Sequence, residues 1–406
     1  MHLRLENIDV RYDDLTILKD ICLEASDGEF IGILGANGSG KTTLIRTIAK
    51  VLKPARGVIL LNGKDISKIK LRELTKILAV VPQDTSINFD FNVEDVVLMG
   101  RTPHLARFQV ETQKDLEIAY DAIKLVRCEH LIGRNINEIS GGERQKVVIA
   151  RALAQQPRIL LLDEPTAHLD INHQIEIMSL LKKLADSGLI VIAVIHDLNL
   201  ASQFCSKILM MKDGRIFAFG KPKDVLTPEN IKEVFGIDVI VRKHPITGSY
   251  YVLPVKLKDI GARDRIHIIC GGGSGSRLML TLRKVTAGVL NVLDSDWEVA
   301  NSLGIEIVSE APFSPITDEA HEKNLRMIDK ADLVVLADIP FGYGNLKNLE
   351  AAEYASQHKE LIVVDKTPIA RRDFTDGRAT EIYRKLKARF VKDDDEAIEL
   401  IAQLRI

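Results

Sequence analysis

The sequence predicts an α/β chain of two successive domains, and three observations carry that reading. Short apolar runs that end in a polar residue alternate with segments of helical spacing along nearly the whole length, as in sheets whose strands are joined by crossover helices. At 406 residues the chain is long for one hydrophobic core. Two glycine-rich turns, one at residues 35–40 and one at residues 271–276, each stand between an apolar strand and a helix. The expected division is an α/β core with a helical subdomain (about 84–150) over residues 1–258, a charged connector at 259–265, and a smaller doubly wound parallel α/β domain at 266–406.

Composition narrows the function classes. The chain is 46% hydrophobic and 28% charged, as ordinary globular proteins are. Its formal net charge of −2 offers no electrostatic case for nucleic acid or an anionic membrane surface. Cys22, Cys128, Cys205 and Cys270 are scattered without a C-x-x-C pair, which suits a reducing cytoplasm. The opening residues Met-His-Leu-Arg-Leu-Glu lack the apolar run of a signal peptide, and the apolar stretch 189–195 is too short to span a bilayer. Work at a membrane would therefore need another subunit to do the spanning.

In chain order, residues 3–11 alternate apolar and polar, which suits an edge strand, and 17–23 read as a second strand before the Asp27-Gly28 turn. Residues 30–34 are a short buried strand, 43–51 a helix, 57–61 a strand, and 77–81 a strand that stops at Pro82-Gln83. Helical spacing at 94–99, 112–125 and 129–132 marks a helical insertion. It ends at Ser140-Gly141-Gly142-Glu143, before a helix predicted over 146–155. Residues 158–162 form an apolar strand closing on Asp163-Glu164, and 166–170 turn into a helix over 174–185. Residues 190–195 form a strand closing on His196, and 206–211 with 216–220 form a hairpin. The sheet is expected to be mostly parallel with helices on both sides.

Gly-Ala-Asn-Gly-Ser-Gly-Lys-Thr at 35–42 has the spacing G-x-x-x-x-G-K-[ST] and the strand and helix that this spacing requires on either side. Glycines let Gly35, Ala36, Asn37, Gly38, Ser39 and Gly40 wrap a polyphosphate closely, with backbone N–H groups turned inward. Lys41 would reach the β- and γ-phosphates, Thr42 would offer its hydroxyl to Mg²⁺, and Thr43 would join the nucleotide-binding residues at the helix start. A carboxylate on a neighbouring strand must help hold that ion, and Asp163 fits; Glu164, one residue on, is placed to polarise the attacking water. Taken alone, Ser140 is a helix N-cap. Taken with the phosphate loop, Ser140, Gly141 and Gly142 are a second set of N–H groups for another phosphate, too far along the chain to share one with Lys41.

These motifs, in this order, resemble the ATPase subunit of an ATP-binding cassette (ABC) transporter across residues 1–255. The resemblance implies a phosphate-loop nucleoside triphosphatase (NTPase) cassette with a helical subdomain. It implies a head-to-tail homodimer, in which Ser140, Gly141 and Gly142 of one copy cap the γ-phosphate held by Lys41 of the other. It also implies that Gln83 touches Mg²⁺ or the attacking water and senses a transmembrane partner. His196 would contact the γ-phosphate and orient Glu164, Asp170 would link the two sites across the dimer, and Tyr12 would stack on adenine. ATP and Mg²⁺ are the implied ligands. Two residues depart from the family pattern: Ile139 stands where leucine is usual, and Glu143 where glutamine is usual.

Residues 97–105, 166–170 and 235–254 (with a hairpin-like 244–248) further resemble ATPases of importers for ferric siderophores, haem and cobalamin. That resemblance implies permease subunits, an extracytoplasmic substrate-binding protein, and a peripheral position on the cytoplasmic face of the membrane. One alternative is a soluble cassette ATPase not tied to transport, acting on ribosomes or DNA; a single cassette, a short insertion and no basic tract speak against it. Another is a transporter ATPase whose C-terminal domain is itself a cofactor-handling enzyme.

Beyond the connector, strands are predicted at 266–270, 287–292, 305–308, 333–337 and 361–364, with helices at 276–284, 296–303, 318–328, 346–356, 379–388 and 395–404. Gly271-Gly272-Gly273-Ser274-Gly275-Ser276 approximates G-x-G-x-x-[GA], with Asp294 about twenty residues on. Either it binds the phosphate of a dinucleotide or of another nucleotide or cofactor, or it is a structural turn beside an unknown ligand. The absence of Lys-Thr after its glycines excludes a second ATPase site. Glu310, Asp338 and Asp365, at other strand ends, line a ligand crevice or are solvated. A regulatory role for this domain is expected.

Overall fold

Alternation in the first dozen residues decides the first layer of the fold. The computed structural model of the chain describes residues 1–12, 15–84, 89–106, 109–244, 247–255, 265–282 and 284–404. It divides into two compact units, Met1–Ile237 with Val241–Val252, and Asp238–Ile240 with Leu253–Ile406. Most of the predicted connector, residues 259–264, and Pro245-Ile246 of the hairpin-like segment lie outside the described residues.

The strands of the first unit are β1 (His2–Tyr12), β2 (Leu15–Ser26), β3 (Phe30–Gly35), β4 (Arg56–Leu61), β5 (Lys64–Asp65), β6 (Leu78–Val81), β7 (Ile159–Leu162), β8 (Ile190–Val194), β9 (Lys207–Lys212) and β10 (Arg215–Gly220). Leu3, Leu5, Ile8 and Val10 of β1 are all buried. The step of three between Leu5 and Ile8 is absorbed by a register shift, with Asn7 at φ 48°. Strand β1 is not the edge strand predicted: it lies between β2 and β4 in an antiparallel sheet ordered β2-β1-β4-β5. Alternation reports which face is buried, not the place a strand takes in its sheet.

The second sheet runs β10-β9-β3-β8-β7-β6. Its ladders are parallel except at the β9–β10 hairpin. Strands β3, β7 and β8 are buried at every residue, so they read as continuous apolar runs, as strands covered on both faces do. Ile31 and Ile33 face a core shared with Leu44, Ile45 and Ile48 of the helix Lys41–Ile48 and with the inner side of the antiparallel sheet. The layer on this face is therefore a sheet plus one helix, where helices alone were expected. Gly32 points the other way, against Cys205, where an added Cβ would lie 2.8 Å from the thiol sulfur.

Between β6 and β7 lie the helices Val93–Leu98, Gln113–Leu125 and Gly141–Ala154, which pack on one another as the predicted insertion. The last of these starts five residues before the predicted 146. Ser140 caps it and Glu143 closes a capping box, which outweighs the helix-weakening of two glycines in the first turn.

Strands β11 (Val239–Lys243) and β12 (Tyr250–Pro254) follow, and the second unit continues with β13 (Ile266–Ile269), β14 (Val285–Asn291), β15 (Glu306–Glu310), β16 (Leu333–Leu336), β17 (Phe341–Gly342), β18 (Glu360–Val364), β19 (Asp373–Phe374) and β20 (Arg389–Val391). Its main sheet is parallel throughout, in the order β15-β14-β13-β16-β18-β20. That is the doubly wound order 3-2-1-4-5-6, with its switch point between β13 and β16. The prediction stopped at about five strands; β20 is only Arg-Phe-Val, too short to show a period.

Candidate functional site

At the C-terminal end of β3 the chain turns at Gly35, whose φ of 154° and lack of a side chain let it pass 2.5 Å (as an added Cβ would measure it) from the Met211 carbonyl oxygen. Gly38 and Gly40 carry φ of 78° and 100°, and Gly40 is the left-handed N-cap of the helix Lys41–Ile48. Ala36, Asn37 and Gly38 are exposed, so ligands reach the loop. Ser39 is 5% exposed and its Oγ is buried without a hydrogen-bond partner. An orphaned hydroxyl in a glycine cradle fits a loop shaped to wrap a phosphate.

Lys41 is only 6% exposed. Its Nζ donates to the carbonyls of Gly35 (2.9 Å) and Ala36 (3.0 Å). Burial lowers its pKa, opposed by the charges of Glu164 and Asp163. Thr42 Oγ1 donates to Asp163 Oδ1 at 3.1 Å. Burial raises the Asp163 pKa, against the stabilising Thr42 hydrogen bond. Such oxygen donors, few and hard, are the set that Mg²⁺ takes when substrate phosphates complete its shell. Gln83 would join them.

Beside this pair stands Glu164, at φ 54°. A non-glycine residue in that region is held there by its surroundings. Gln83 Nε2 donates to Glu164 Oε2 at 2.8 Å, and His196 Nε2 lies 2.7 Å from Glu164 Oε1. Gln83 comes from the end of β6, Glu164 from β7 and His196 from β8, and these strands are adjacent in the sheet. The fold thus places Lys41, Thr42, Asp163, Glu164, Gln83 and His196 in one polar cluster. The Thr43 carbonyl accepts from Thr47 Oγ1 at 2.6 Å within the helix.

The remaining predicted residues are elsewhere. Tyr12 ends β1 and is 42% exposed. Ser140 caps the helix Gly141–Ala154: its Oγ donates to Glu143 Oε2 at 2.8 Å, and those Ser140 hydrogen bonds lower the Glu143 pKa. Asp170 caps the helix Ile171–Asp186, accepting from His173 N at 2.9 Å and lying 2.9 Å from His173 Nδ1. An added Cβ on Gly142 would stand 2.5 Å from the His173 ring, so the Ser140 turn and the Asp170 turn are packed together. Among the described residues, no hydrogen bond or ion pair joins residues 140–142 to residues 35–43. His173, which sequence reasoning missed, has no motif; only the packing shows it.

In the second unit several donors of the Gly271–Ser276 turn are occupied from within. Gly272 N donates to Asp294 Oδ2 at 2.7 Å, Gly275 N to Asp296 Oδ2 at 3.0 Å, and Ser276 Oγ to Asp296 Oδ1 at 2.6 Å. Glu310 accepts from Thr317, Asp338 from Thr367, and Asp365 from Arg372 and Tyr383. These three strand-end carboxylates are engaged in hydrogen bonds within the unit.

A glycine loop on a central parallel strand, its lysine, and acidic and polar residues from the next strands define a phosphate-loop NTPase with a helical insertion. The comparisons narrow that class. Residues 18–167 match the family model described as ABC transporter, and residues 285–398 match one described as MJ0874 family. The chain is 37% identical over 343 residues to the cobalamin import ATP-binding protein BtuD of Halobacterium salinarum, covering 83% of this chain and 86% of that protein. It is 40% identical over 260 residues to the hemin import ATP-binding protein HmuV of Gloeobacter violaceus, covering 62% and 94%. A metal-chelate-type ABC transporter solved in an inward-facing conformation is 28% identical with a TM-score of 0.56, covering 62% of this chain and 96% of that one. The chain belongs to the family of ABC transporter ATP-binding proteins.

Proposed function

We propose that this chain is the ATP-hydrolysing subunit of an importer for a metal chelate or corrinoid, of the ferric siderophore, haem or cobalamin type. The observation that carries the catalytic part is Glu164, held between Gln83 and His196 beside the Thr42–Asp163 pair. The relatives named for cobalamin and hemin import support the cargo class.

ATP would enter with its β- and γ-phosphates against the loop 35–42, with Tyr12 at the adenine. Lys41 would exchange its two carbonyl partners for phosphate oxygens, a swap its buried ammonium makes without added desolvation. Thr42, Asp163 and Gln83 would hold Mg²⁺, which supplies neutralisation of phosphate charge. Glu164 accepts the proton of the attacking water as the new P–O bond forms and the β–γ bridging oxygen departs with ADP. His196 keeps Glu164 oriented and faces the γ-phosphate. Residues 140–142 would serve the site of a twin chain, as the cassette resemblance implies, with Asp170 and His173 beside them.

No helix among the described residues is long and apolar enough to cross a membrane. In this reading a permease crosses it, an extracytoplasmic binding protein delivers cargo, and this chain sits on the cytoplasmic face as a homodimer. Residues 266–406 act as a regulatory domain. Co-expression with a polytopic subunit tests the assignment: co-purification and cargo-stimulated ATPase activity are expected in vesicles, and a chain that hydrolyses ATP but never associates with a membrane subunit overturns the transport reading.

A further inference from the structure

At the switch point of the second unit's sheet, outside the ends of β13 and β14, lies a crevice of 110 Å³. Its polar lining comes from Asp294, Asn291, Asn345 and Asn348, and its apolar lining includes Ile316 and Ile339. This is where open α/β sheets bind ligands. The phosphate reading of the Gly271–Ser276 turn meets a physical obstacle there. Two carboxylates already take the N–H groups of Gly272 and Gly275, and Asp296 is fully buried. Among the described residues no ion pair neutralises Asp294 or Asp296, so an incoming phosphate would meet two negative charges where a phosphate loop offers donors.

Asn348 supplies the independent observation. It lines the crevice, is 4% exposed, and its Oδ1 is buried without a hydrogen-bond partner. Its neighbour Asn345 is satisfied, accepting from Gly342 N at 2.7 Å and donating to the Pro340 carbonyl at 2.9 Å. An unpaired buried acceptor is costly and calls for a donor. Asp294 adds a second acceptor, since each of its oxygens takes a single backbone N–H, from Asp296 and from Gly272.

We infer that this crevice binds a phosphate-free small molecule through hydroxyl or amino donors, received by Asn348 Oδ1 and the Asp294 carboxylate. Its volume is below the roughly 300 Å³ at which drug-sized pockets begin, so it holds one moiety, such as a ribose or an ammonium arm, with the rest of the ligand at the mouth. The inference deepens the regulatory reading of the second unit but stands on the crevice alone.

The chain has one tryptophan, Trp297, next to Asp296, with its Nε1 donating to Ser309 Oγ at 3.1 Å. Its emission therefore reports the second unit even when the cassette binds nucleotide. The full chain would be titrated with adenosine, which brings vicinal hydroxyls, with putrescine, which brings ammonium groups, and with AMP. A saturable emission change with adenosine or with putrescine is expected, and which of them produces it tells the hydroxyl source from the ammonium source. AMP should bind at least ten-fold more weakly than adenosine. Asn348→Leu and, separately, Asp294→Asn should each weaken the effective probe at least ten-fold while the apo emission maximum stays in place. Silence from both probes, tighter binding of AMP, or undiminished binding in folded variants each overturns the inference. Should Asn348→Leu fail to fold, Asp294→Asn decides. A probe that binds without altering ATPase turnover keeps the ligand site and removes the regulatory reading.

Discussion

Glu164 has two neighbours that hold it and a backbone conformation that no unassisted glutamate prefers. The proton-acceptor role proposed for it predicts that Glu164→Gln keeps ATP affinity while turnover falls by about 10²–10⁴-fold. Equilibrium binding and steady-state phosphate release measure the two quantities; turnover within a few-fold of wild type excludes the role. His267 offers a residue-scale test in the second unit. It is fully buried on β13, with Thr286 Oγ1 at 2.9 Å and Asn324 Oδ1 at 2.9 Å, and burial lowers its pKa to about 4. The unfolded chain takes up that proton near the ordinary value of 6.5, so the folded state loses stability as pH falls from there towards 4, by about 3 kcal/mol at most. Urea melts read at Trp297 should show this acid sensitivity, and His267→Gln should flatten it.

At the scale of elements, Arg101 ties the insertion together. It is 5% exposed, and it bonds Asp115 of the helix Gln113–Leu125 at 2.9 Å and the carbonyl of Ala154, at the end of the helix Gly141–Ala154, at 2.8 Å. Thr112 and Arg101 together depress the Asp115 pKa to about 2. The contribution of Asp115 is present above its ordinary value of 3.8 and lost as pH falls towards 2. Arg101→Leu removes the charged partner of Asp115, leaving it the Thr112 hydrogen bonds, and should cost about 1–3 kcal/mol. Hydrogen exchange in the three insertion helices measures it; protection unchanged from wild type contradicts the pairing. The same residue's pairing was opaque in the sequence, where Arg101 is one charge in the stretch 97–105 with no partner in reach along the chain. Lys41 was legible because its spacing from the loop glycines is fixed, and Asp163 and Glu164 because an apolar strand closes on them. His173 was not, because its contact with Gly142 joins two turns about thirty residues apart by packing alone.

For the whole molecule, hydrolysis at a shared seam predicts that specific ATPase activity rises with protein concentration and then saturates. Activity per chain that stays constant on dilution well below the dimer dissociation constant of Glu164→Gln, measured by analytical ultracentrifugation with ATP, rules out the seam. Adding excess Lys41→Ala, whose own phosphate loop is disabled but whose Ser140 turn is intact, should raise activity in a dilute wild-type sample.

Local patterns determined the elements and the nucleotide chemistry, since burial periodicity, glycine turns and phosphate-binding spacing are written within a few residues of one another. They also placed both parallel sheets. The tertiary structure decided what depends on neighbours distant in sequence: β1 lies inside its sheet because β2 and β4 both pair with it. The second glycine turn, phosphate-like in its letters, is filled by Asp294 and Asp296 because the next strand delivers those carboxylates to its N–H groups. A hydrogen bond is satisfied by whichever partner the fold brings within reach, and a motif alone does not say which partner that is.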